Sequence, residues 1–453
     1  MTALMLAQSD QGLSTAGTDP GPFAILDEYL WVFLAALAVS FLLTPLMRCL
    51  AIRNGVVDQP DMKRKAHVEP IAYMGGVAIF LGWLTGVSLC FFMAANNPLQ
   101  TRQFAFPLSV IVGAAAITIT GLMDDVYGVS PRVKIGGQFF AAAALAWQNI
   151  GFSLVTQTFN IFGVNLPEPV AYVLGTAMLA AFVLGGCNAV NLIDGLDGLA
   201  SGIVAIATLG FLFIAVTIST VHGAADPQPT LISDPVRIVM CLAILGAVLG
   251  FLPYNFNPAN IFMGDAGSLL LGYLCVASIL MFADPHMNNS PMYVMAALIV
   301  FALPIIDTAL AIFRRKMSGK PIFSPDDQHL HHQILRAVRN IGINSPRLSV
   351  KLAVIAMYML AGAFALLGCS LVFFPRGRYV IAVFTVFLAF IFVTAYKSGH
   401  MRQLEKKPPD AAGLAEAPAS TQHPMPPDRP DNTASTPHNP REASPSVPVN
   451  PSA

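Results

Sequence analysis

Residues 262–283 read FMGDAGSLLLGYLCVASILMFA, a short polar turn that runs directly into an apolar segment. A helix rises about 1.5 Å per residue, so roughly 20 apolar residues cross a hydrocarbon core of about 30 Å. Asp265 stands where such a helix would leave the membrane, a place where a carboxylate can hold a metal ion or a substrate. The same alternation recurs along a chain that is 55% hydrophobic and 11% charged.

Eleven segments of this apolar character can be counted. They predict an all-α integral membrane protein, a bundle of about 11 transmembrane helices with cytoplasmic active-site loops. The segments run over 30–52, 71–94, 105–123, 134–155, 169–187, 198–220, 236–253, 267–283, 292–313, 350–374 and 379–396.

The distribution of basic residues predicts the orientation. With residues 1–29 outside, fifteen Lys and Arg fall on the inner connections and four on the outer ones. Positive residues favour the cytoplasmic side, so the inner loops and the C-terminus are expected in the cytoplasm. A net charge of zero gives no reason to expect nucleic-acid binding.

Three regions follow from this pattern. Residues 1–29 are expected to be a short external tail, because they lack a basic stretch followed by an apolar core. Residues 30–396 form the polytopic domain. Residues 397–453 are Pro-rich and predicted to be disordered in the cytoplasm. The six cysteines lie in or beside apolar segments without CxxC spacing, so neither a disulfide framework nor a zinc site is expected.

Five polar clusters fall on the predicted cytoplasmic side and suggest one site there. They occupy residues 56–76, 121–134, 188–202, 253–268 and 314–332. In the second cluster, Asp124 and Asp125 repel each other unless a cation or proton lies between them, although acids also simply end apolar spans.

The third and fourth clusters supply amides and further acids. Asn188, Asn191, Asp194 and Asp197 are spaced by three, which predicts one helical stripe, with a capped helix end as the alternative. Asp265 could be an N-cap, but Phe262 and nearby asparagines favour a site for Mg²⁺, which binds one or two carboxylates with waters and phosphate oxygens.

The fifth cluster contributes His329, His331 and His332, and Lys134 follows the aspartate pair. Three histidines could bind zinc, but no fourth ligand of the usual spacing is evident. Imidazoles and amines beside aspartates better suit anionic oxygens, which together with magnesium implies a di- or polyphosphate substrate. Asp307, within an apolar segment, is expected to face the bundle interior, with no role assigned.

DDVYG (124–128), NAVNLIDGLDGLASG (188–202), FMGDAGS (262–268) and HLHH (329–332) resemble the motifs of the polyprenyl-phosphate N-acetylhexosamine-1-phosphate transferase family. The resemblance covers residues 30 to about 396. RKAH at 64–67 is similar to the branch that uses N-acetylglucosamine and starts cell-envelope polysaccharides, including lipopolysaccharide O-antigen. The other branch comprises the phospho-N-acetylmuramoyl-pentapeptide transferases.

The resemblance implies Mg²⁺, or Mn²⁺ in its place, a UDP-sugar donor and undecaprenyl phosphate in a bacterial inner membrane, and it leaves a homodimer open. It implies the following roles: Asp265 and Asn191 near the metal, Asp124 and Asp125 near the lipid phosphate with one as base, Lys134 on that phosphate, Phe262 and Asp197 on uracil, and the histidines on the diphosphate or sugar. Asn188 and Asp194 are expected to bind substrate with them.

The chemistry expected from these groups is charge neutralisation and alignment of two anions. A phosphate monoester has a second pKa of about 6, so a strong base is hardly needed, which favours direct displacement over an aspartyl-phosphate intermediate. A secondary transporter is the alternative from another class, but it would place polar groups near the bilayer midplane in repeated halves. A catalytically inactive scaffold is disfavoured because all acid positions are filled.

Overall fold

The computed structural model describes residues 22–58, 70–95, 106–150, 152–161, 163–222, 234–284, 290–317, 319, 328–343, 345–373 and 384–385. Helices dominate these residues, which confirms the predicted all-α class. In chain order they are α1 (Pro22–Arg53), α2 (Gly75–Ala95), α3 (Leu108–Tyr127), α4 (Pro131–Trp147), α5 (Phe152–Ile161), α6 (Glu168–Ile193), α7 (Leu199–His222), α8 (Asp234–Asn255), α9 (Gly264–Met281), α10 (Ser290–Val300), α11 (Ala302–Met317), α12 (Leu330–Asn340) and α13 (Pro346–Phe373).

The described residues do not confirm the predicted count of eleven membrane spans. Within the described ranges, seven helices are long and apolar enough to cross a membrane, namely α1, α3, α6, α7, α8, α9 and α13. The pair α10 and α11 would be an eighth, but it is bent by 69°. The apolar part of α2, Gly75–Cys90, is shorter than these seven helices. The eleventh predicted span, 379–396, lies outside the described residues apart from 384–385.

Two predicted spans are broken for local reasons. The segment 134–155 divides between α4 and α5, where Asn149 has a φ of 54° that ends the helix. The segment 292–313 divides between α10 and α11. Pro304, in the first turn of α11, lacks an N–H and would clash with the carbonyl four residues earlier in one continuous helix. Hydropathy alone does not register either break.

The ends of the chain were predicted less closely. Helix α1 begins at Pro22, inside the segment 1–29 that was assigned to an external tail. The predicted tail 397–453 lies outside the described residues. The structure also contains a small sheet that was not predicted, in which β1 (Val57–Asp58) pairs antiparallel with β2 (Ile71–Ala72) and Ala72 forms a parallel bridge with Ile261.

Helix α9, which follows the FMGDAGS turn, is the central element of the bundle. In its apolar stretch 94% of the residues are buried, whereas in the apolar stretch of α1, at the periphery, 28% are buried. It packs on α2, α3 and α6. The approach of α2 is so close that a Cβ on Gly76 would overlap the backbone of Gly267, and the Gly76 N–H donates to the Met263 carbonyl at 2.9 Å. This packing against α2 therefore fixes the position of the first turn of α9.

A buried ion cluster holds the opposite end of α9. Arg237, 1% exposed, donates from Nε to the Met281 carbonyl at 2.9 Å. Its two terminal nitrogens donate to Asp234 at 2.6 Å and Asp284 at 3.1 Å. Paired and fully hydrogen-bonded charges are the form in which ions survive burial. This cluster is structural and lies far along the helix from Asp265.

Candidate active site

The first turn of α9 is shaped by a carboxylate from another helix. Gly264 has a φ of 67°, a left-handed conformation that glycine adopts without strain. The Asp125 carboxylate, near the end of α3, accepts the backbone N–H of Asp265 at 2.7 Å and of Ala266 at 3.0 Å. A Cβ on Gly264 would overlap this carboxylate. Asp125 therefore caps α9 and sets the position of Asp265.

Lys134 joins three of the predicted site residues. Its ammonium, on the first turns of α4, forms an ion pair with Asp124 Oδ2 at 2.6 Å and a second ion pair with Asp265 Oδ2. The three side chains are 27%, 18% and 22% exposed, so solvent and ligands can reach them. A single positive charge between Asp124 and Asp265 offsets the repulsion between these two carboxylates, whereas the predicted repulsion concerned Asp124 and Asp125. The second and fourth polar clusters therefore meet here.

Asn191 on α6 backs the other side of Asp265. Its Nδ2 donates to Asp265 Oδ1 and to Ser268 Oγ, both at 2.9 Å. The Ser268 hydroxyl in turn donates to the Gly264 carbonyl at 3.0 Å. Since both of these bonds use the Asn191 amide nitrogen, its carbonyl oxygen is the atom left to offer a cation.

Asn188 points in a different direction from Asn191. Its Nδ2 donates to Gln138 Oε1 at 3.0 Å and to the Leu184 carbonyl at 2.7 Å. Gln138 is 1% exposed, and its Nε2 has no hydrogen-bond partner among the described residues. Gln138 was not among the predicted site residues, although it stands one helical turn after Lys134 on α4 and therefore on the same face.

The predicted stripe of four polar residues is wrong beyond Asn191. Helix α6 ends at Ile193, Asp194 is its C-cap, and α7 begins only at Leu199. Gly198 in the intervening turn has a φ of 78°, which breaks the helical register. Asp194 and Asp197 therefore lie in a turn, as the alternative of a capped helix end anticipated.

The two turn aspartates have different surroundings. Burial raises the pKa of Asp194 to about 8, and the negative charge of Asp265 is the next contribution. Asp197 Oδ2 accepts from Asn257 Nδ2 at 2.8 Å and from the Ala259 N–H at 3.1 Å. Asp197 thus ties this turn to the loop before FMGDAGS. Its role toward uracil stays a prediction.

Phe262 lies between β2 and α9 and is partly exposed. Its N–H donates to the Ala72 carbonyl at 2.8 Å, and its carbonyl accepts the Gly75 N–H at 3.0 Å. Its ring centroid lies 6.0 Å from that of Tyr73. The first polar cluster therefore reaches the site through residues 72–76, and Phe262 is held at the backbone with its ring still accessible.

The histidine segment joins the site through His331 and the adjacent His332. His331 is 1% exposed, and neither ring nitrogen has a partner within the described ranges. A Cβ on Gly195 would overlap its Nε2, so this ring lies against the turn that carries Asp194. Burial lowers the pKa of His331 to about 3, and the charge of His332 is the next contribution. The rings of His331 and His332 lie 4.2 Å apart.

His329 is held by Asp307, the acid to which the sequence assigned no role. His329 Nδ1 lies 3.0 Å from Asp307 Oδ2, and Asp307 Oδ1 accepts the Leu330 N–H at 2.8 Å. The two side chains are 6% and 2% exposed. The expectation that Asp307 faces the bundle interior agrees with this burial.

The donor set was tested for a divalent cation. Among the residues that the structure describes, no group of three His, Cys, Asp or Glu is arranged to hold a metal ion by itself. Magnesium does not require one, because it usually takes one or two carboxylates and completes its octahedron with water and phosphate oxygens. Asp265 and Asp124, already bridged by a cationic ammonium, and the Asn191 carbonyl fit that chemistry.

Comparisons with known proteins agree on a single family. The family model for glycosyl transferase family 4 matches residues 107–283. The decaprenyl-phosphate N-acetylglucosaminephosphotransferase of Mycolicibacterium smegmatis is 33% identical over 408 residues, covering 87% of this chain and 94% of the relative. A probable undecaprenyl-phosphate N-acetylglucosaminyl 1-phosphate transferase of Bacillus subtilis is 32% identical over 80% of this chain and 89% of its own length.

A second group of relatives is similar over a smaller part of the chain. The phospho-N-acetylmuramoyl-pentapeptide-transferase of Bacillus anthracis is 31% identical over 314 residues, covering 67% of this chain and 87% of the relative. Similarity to the N-acetylglucosamine group therefore extends over more of the chain.

Proposed function

Since the chain belongs to glycosyl transferase family 4, among its polyprenyl-phosphate N-acetylglucosamine-1-phosphate transferases, we propose that it transfers N-acetylglucosamine 1-phosphate from UDP-N-acetylglucosamine to a polyprenyl phosphate and releases UMP. An oxygen of the lipid phosphate attacks the β-phosphorus of the donor. The bond from that phosphorus to the oxygen bridging it to the α-phosphorus breaks, and UMP leaves with the bridging oxygen. This is the first membrane step of a cell-envelope polysaccharide.

One observation carries the proposal. The Lys134 ammonium stands between Asp124 and Asp265, and all three side chains remain partly exposed. Two anionic substrates must be brought together for this reaction, and positioned charges supply most of the catalysis of phosphoryl transfer. A cation on a rigid helix, beside acids that can hold a metal, provides such charges. Lys134 is therefore assigned to binding the lipid phosphate, and Asp124 is assigned to a position beside that phosphate.

Magnesium, or manganese in its place, is the proposed cofactor, held by Asp265 and Asn191 with Asp124 nearby. When bound, it neutralises the diphosphate oxygens of the donor. Asp125 is assigned a positioning role, because both of its carboxylate oxygens already accept backbone N–H groups of α9. Asn188 and Asp194 border the site, and we assign them to the donor side.

The uracil site is proposed at Phe262 and the adjacent turn. The Phe262 ring is partly exposed, while its backbone is fixed to residues 72 and 75. A fixed aromatic ring of this kind is suited to stacking on a base. His329, His331 and His332 are assigned to the diphosphate or sugar. Direct displacement remains the proposed chemistry, because the lipid phosphate is already largely dianionic at neutral pH, with a second pKa of about 6.

The proposed location is the inner membrane of a bacterium, with the site and the C-terminus in the cytoplasm. With the predicted arrangement of eleven spans, fifteen basic residues fall on the inner connections and four on the outer ones, which supports this orientation. Cysteine labelling of residue 260, which is exposed just before the FMGDAGS turn, or of residue 332 in intact and opened cells tests it. Protection of only one of the two in intact cells would contradict a single cytoplasmic site.

The purified protein tests the reaction directly. It is given undecaprenyl or decaprenyl phosphate and Mg²⁺, with UDP-N-acetylglucosamine, UDP-N-acetylgalactosamine or UDP-N-acetylmuramoyl-pentapeptide as donor. We expect UMP release with the first donor, dependent on both lipid phosphate and Mg²⁺. Release with the pentapeptide donor alone would assign the chain to the other branch, and release with none of the three would refute the proposal.

A further inference from the structure

Asp307 and His329 form a buried pair that the proposed function leaves unexplained. Asp307 lies on α11, the second half of the bent pair, and His329 immediately precedes α12. Oδ2 of the aspartate meets Nδ1 of the histidine at 3.0 Å, and its Oδ1 accepts the Leu330 N–H at 2.8 Å. One carboxylate therefore holds both the first backbone N–H of α12 and the ring that precedes it.

The hydrogen bond dictates where the imidazole carries its proton. An ionised aspartate is only an acceptor, so the nitrogen that faces it must be a donor. His329 is then held in the tautomer protonated at Nδ1, and Nε2 is the nitrogen left for another partner. A carboxylate on one ring nitrogen also stabilises positive charge that develops on the imidazole.

We propose that Asp307 is a positioning residue of the transfer reaction, fixing the tautomer and orientation of His329 so that the unprotonated Nε2 accepts a hydrogen bond from a hydroxyl group of the donor sugar. The inference rests on the proposed function, since it takes the sugar of the donor substrate as the partner of Nε2. The neighbouring rings agree with a fixed orientation: His329 and His331 are stacked, 5.7 Å between centroids and 11° between planes.

Helix capping alone does not account for Asp307. A cap needs one acceptor, which a serine, threonine or asparagine supplies without burying a charge. Asp307 is 2% exposed, and burial of a carboxylate is costly unless it is fully hydrogen-bonded. The His329 side chain, at the N-cap position itself, makes no capping hydrogen bond. The second carboxylate oxygen of Asp307 therefore serves to hold the His329 ring.

Asp307→Asn separates the two roles. The amide oxygen can still accept the Leu330 N–H, which preserves the cap, while the amide nitrogen can only donate to His329 Nδ1. The ring must then move its proton to Nε2. We expect kcat to fall about 10- to 100-fold, the usual effect of removing a partner that orients a histidine ligand, with the KM for the lipid acceptor changed by less than about threefold.

The tautomer is measured without any substrate. The protein is labelled with ¹⁵N-histidine in lipid nanodiscs, and the His329 signals are assigned among nine histidines by their loss in His329→Gln. We expect protonated Nδ1 and unprotonated Nε2 in the wild type, and the reverse in Asp307→Asn. A wild-type ring protonated on Nε2 alone, or an unchanged tautomer in the variant, would overturn the inference.

A double variant tests whether Asp307 acts through His329. On a His329→Gln background, Asp307→Asn should lower kcat by less than about twofold further, because residues that act as a unit are not additive. A further 10-fold loss there would overturn the inference and leave Asp307 as a cap. If the wild type releases no UMP with any of the UDP-sugars, the proposed function fails. The tautomer measurement is independent of that result, because it needs no substrate.

Asp284→Asn is the matched control. Asp284 is also a buried aspartate, 1% exposed and paired with Arg237 at 3.1 Å, but it lies beyond the opposite end of α9. The same acid-to-amide change there should lower the unfolding temperature, yet leave the His329 tautomer unchanged and kcat of the folded protein within about twofold. An equal loss of kcat in this control would mean that the Asp307 effect is general destabilisation, which would overturn the inference.

Discussion

The first turn of α9 provides a test of whether Asp125 takes part in chemistry or positions Asp265. In Asp125→Asn, one carbonyl oxygen can still accept a backbone N–H, while the amide nitrogen cannot accept the other. The variant therefore loses one of the two hydrogen bonds, those to Asp265 N–H at 2.7 Å and Ala266 N–H at 3.0 Å. It also loses a negative charge at a helix N-terminus.

The magnitude follows from these two losses. A hydrogen bond to a charged group contributes about 1.5–3 kcal/mol, and a charge at a helix terminus about 0.3–1 kcal/mol. We therefore expect Asp125→Asn to destabilise the protein by about 2–4 kcal/mol. If the turn shifts by about 1 Å, misalignment of Asp265 should lower kcat about 100-fold. Some turnover should remain, because no reacting group has been removed.

The assay combines thermal unfolding in detergent with UMP release. Asp124→Asn is the contrasting variant, since Asp124 pairs with Lys134 at 2.6 Å and should affect turnover more than stability. Gly264→Ala approaches the same turn from the other side. A left-handed residue with a Cβ costs about 1–2 kcal/mol, and this Cβ would overlap the Asp125 carboxylate. An unchanged unfolding temperature in Asp125→Asn, together with complete loss of turnover, would refute the capping role.

Further predictions concern four other residues. Asp265→Asn should abolish transfer but leave a folded, membrane-inserted protein; near-normal Mg²⁺-dependent turnover would contradict the metal assignment. Lys134→Met should lower kcat at least about 100-fold, and Mg²⁺ should raise its unfolding temperature more than that of the wild type, because the two acids then lack their ammonium. For His331, the folded pKa of about 3 lies below the unfolded value of 6.5. Its contribution to stability is therefore complete above pH 6.5 and is lost as the pH falls toward 3, by at most about 5 kcal/mol. In His331→Gln, the free energy of unfolding should depend less steeply on pH between 6.5 and 3. Arg237→Met should destabilise by about 3–5 kcal/mol, measured by thermal unfolding, because a buried acid loses its partner, while kcat of the folded fraction stays within about twofold.

The membrane architecture and the convergence of polar clusters could be predicted because they depend on local composition. Apolar length and the positions of acids are visible in the sequence, and the structure does bring Asp124, Lys134, Asn191 and Asp265 together. Helix ends were predicted less well. The segment 188–193 continues α6, since nothing in NAVNLI stops a helix, whereas the glycines at 195 and 198 do.

The unpredicted part of the site depends on distances between elements. Asp307 and His329 are 22 positions apart, and Asp307 lies on α11, which follows the 69° bend from α10. Pro304 marks that bend in the sequence, but its angle follows from packing against other helices. Gln138 could have been found from its spacing to Lys134, whereas its contact with Asn188 on α6 could not.

Asp125 and Asp307 have the same structural role. Helices α9 and α12 both begin at the site, and the first N–H groups of a helix have no partner within it. Here the acceptor is a carboxylate from a different helix, Asp125 for α9 and Asp307 for α12. Loss of activity on changing either acid therefore does not by itself identify a catalytic group. Stability and the histidine tautomer, measured beside turnover, distinguish an acid that touches substrate from one that holds the residue that does.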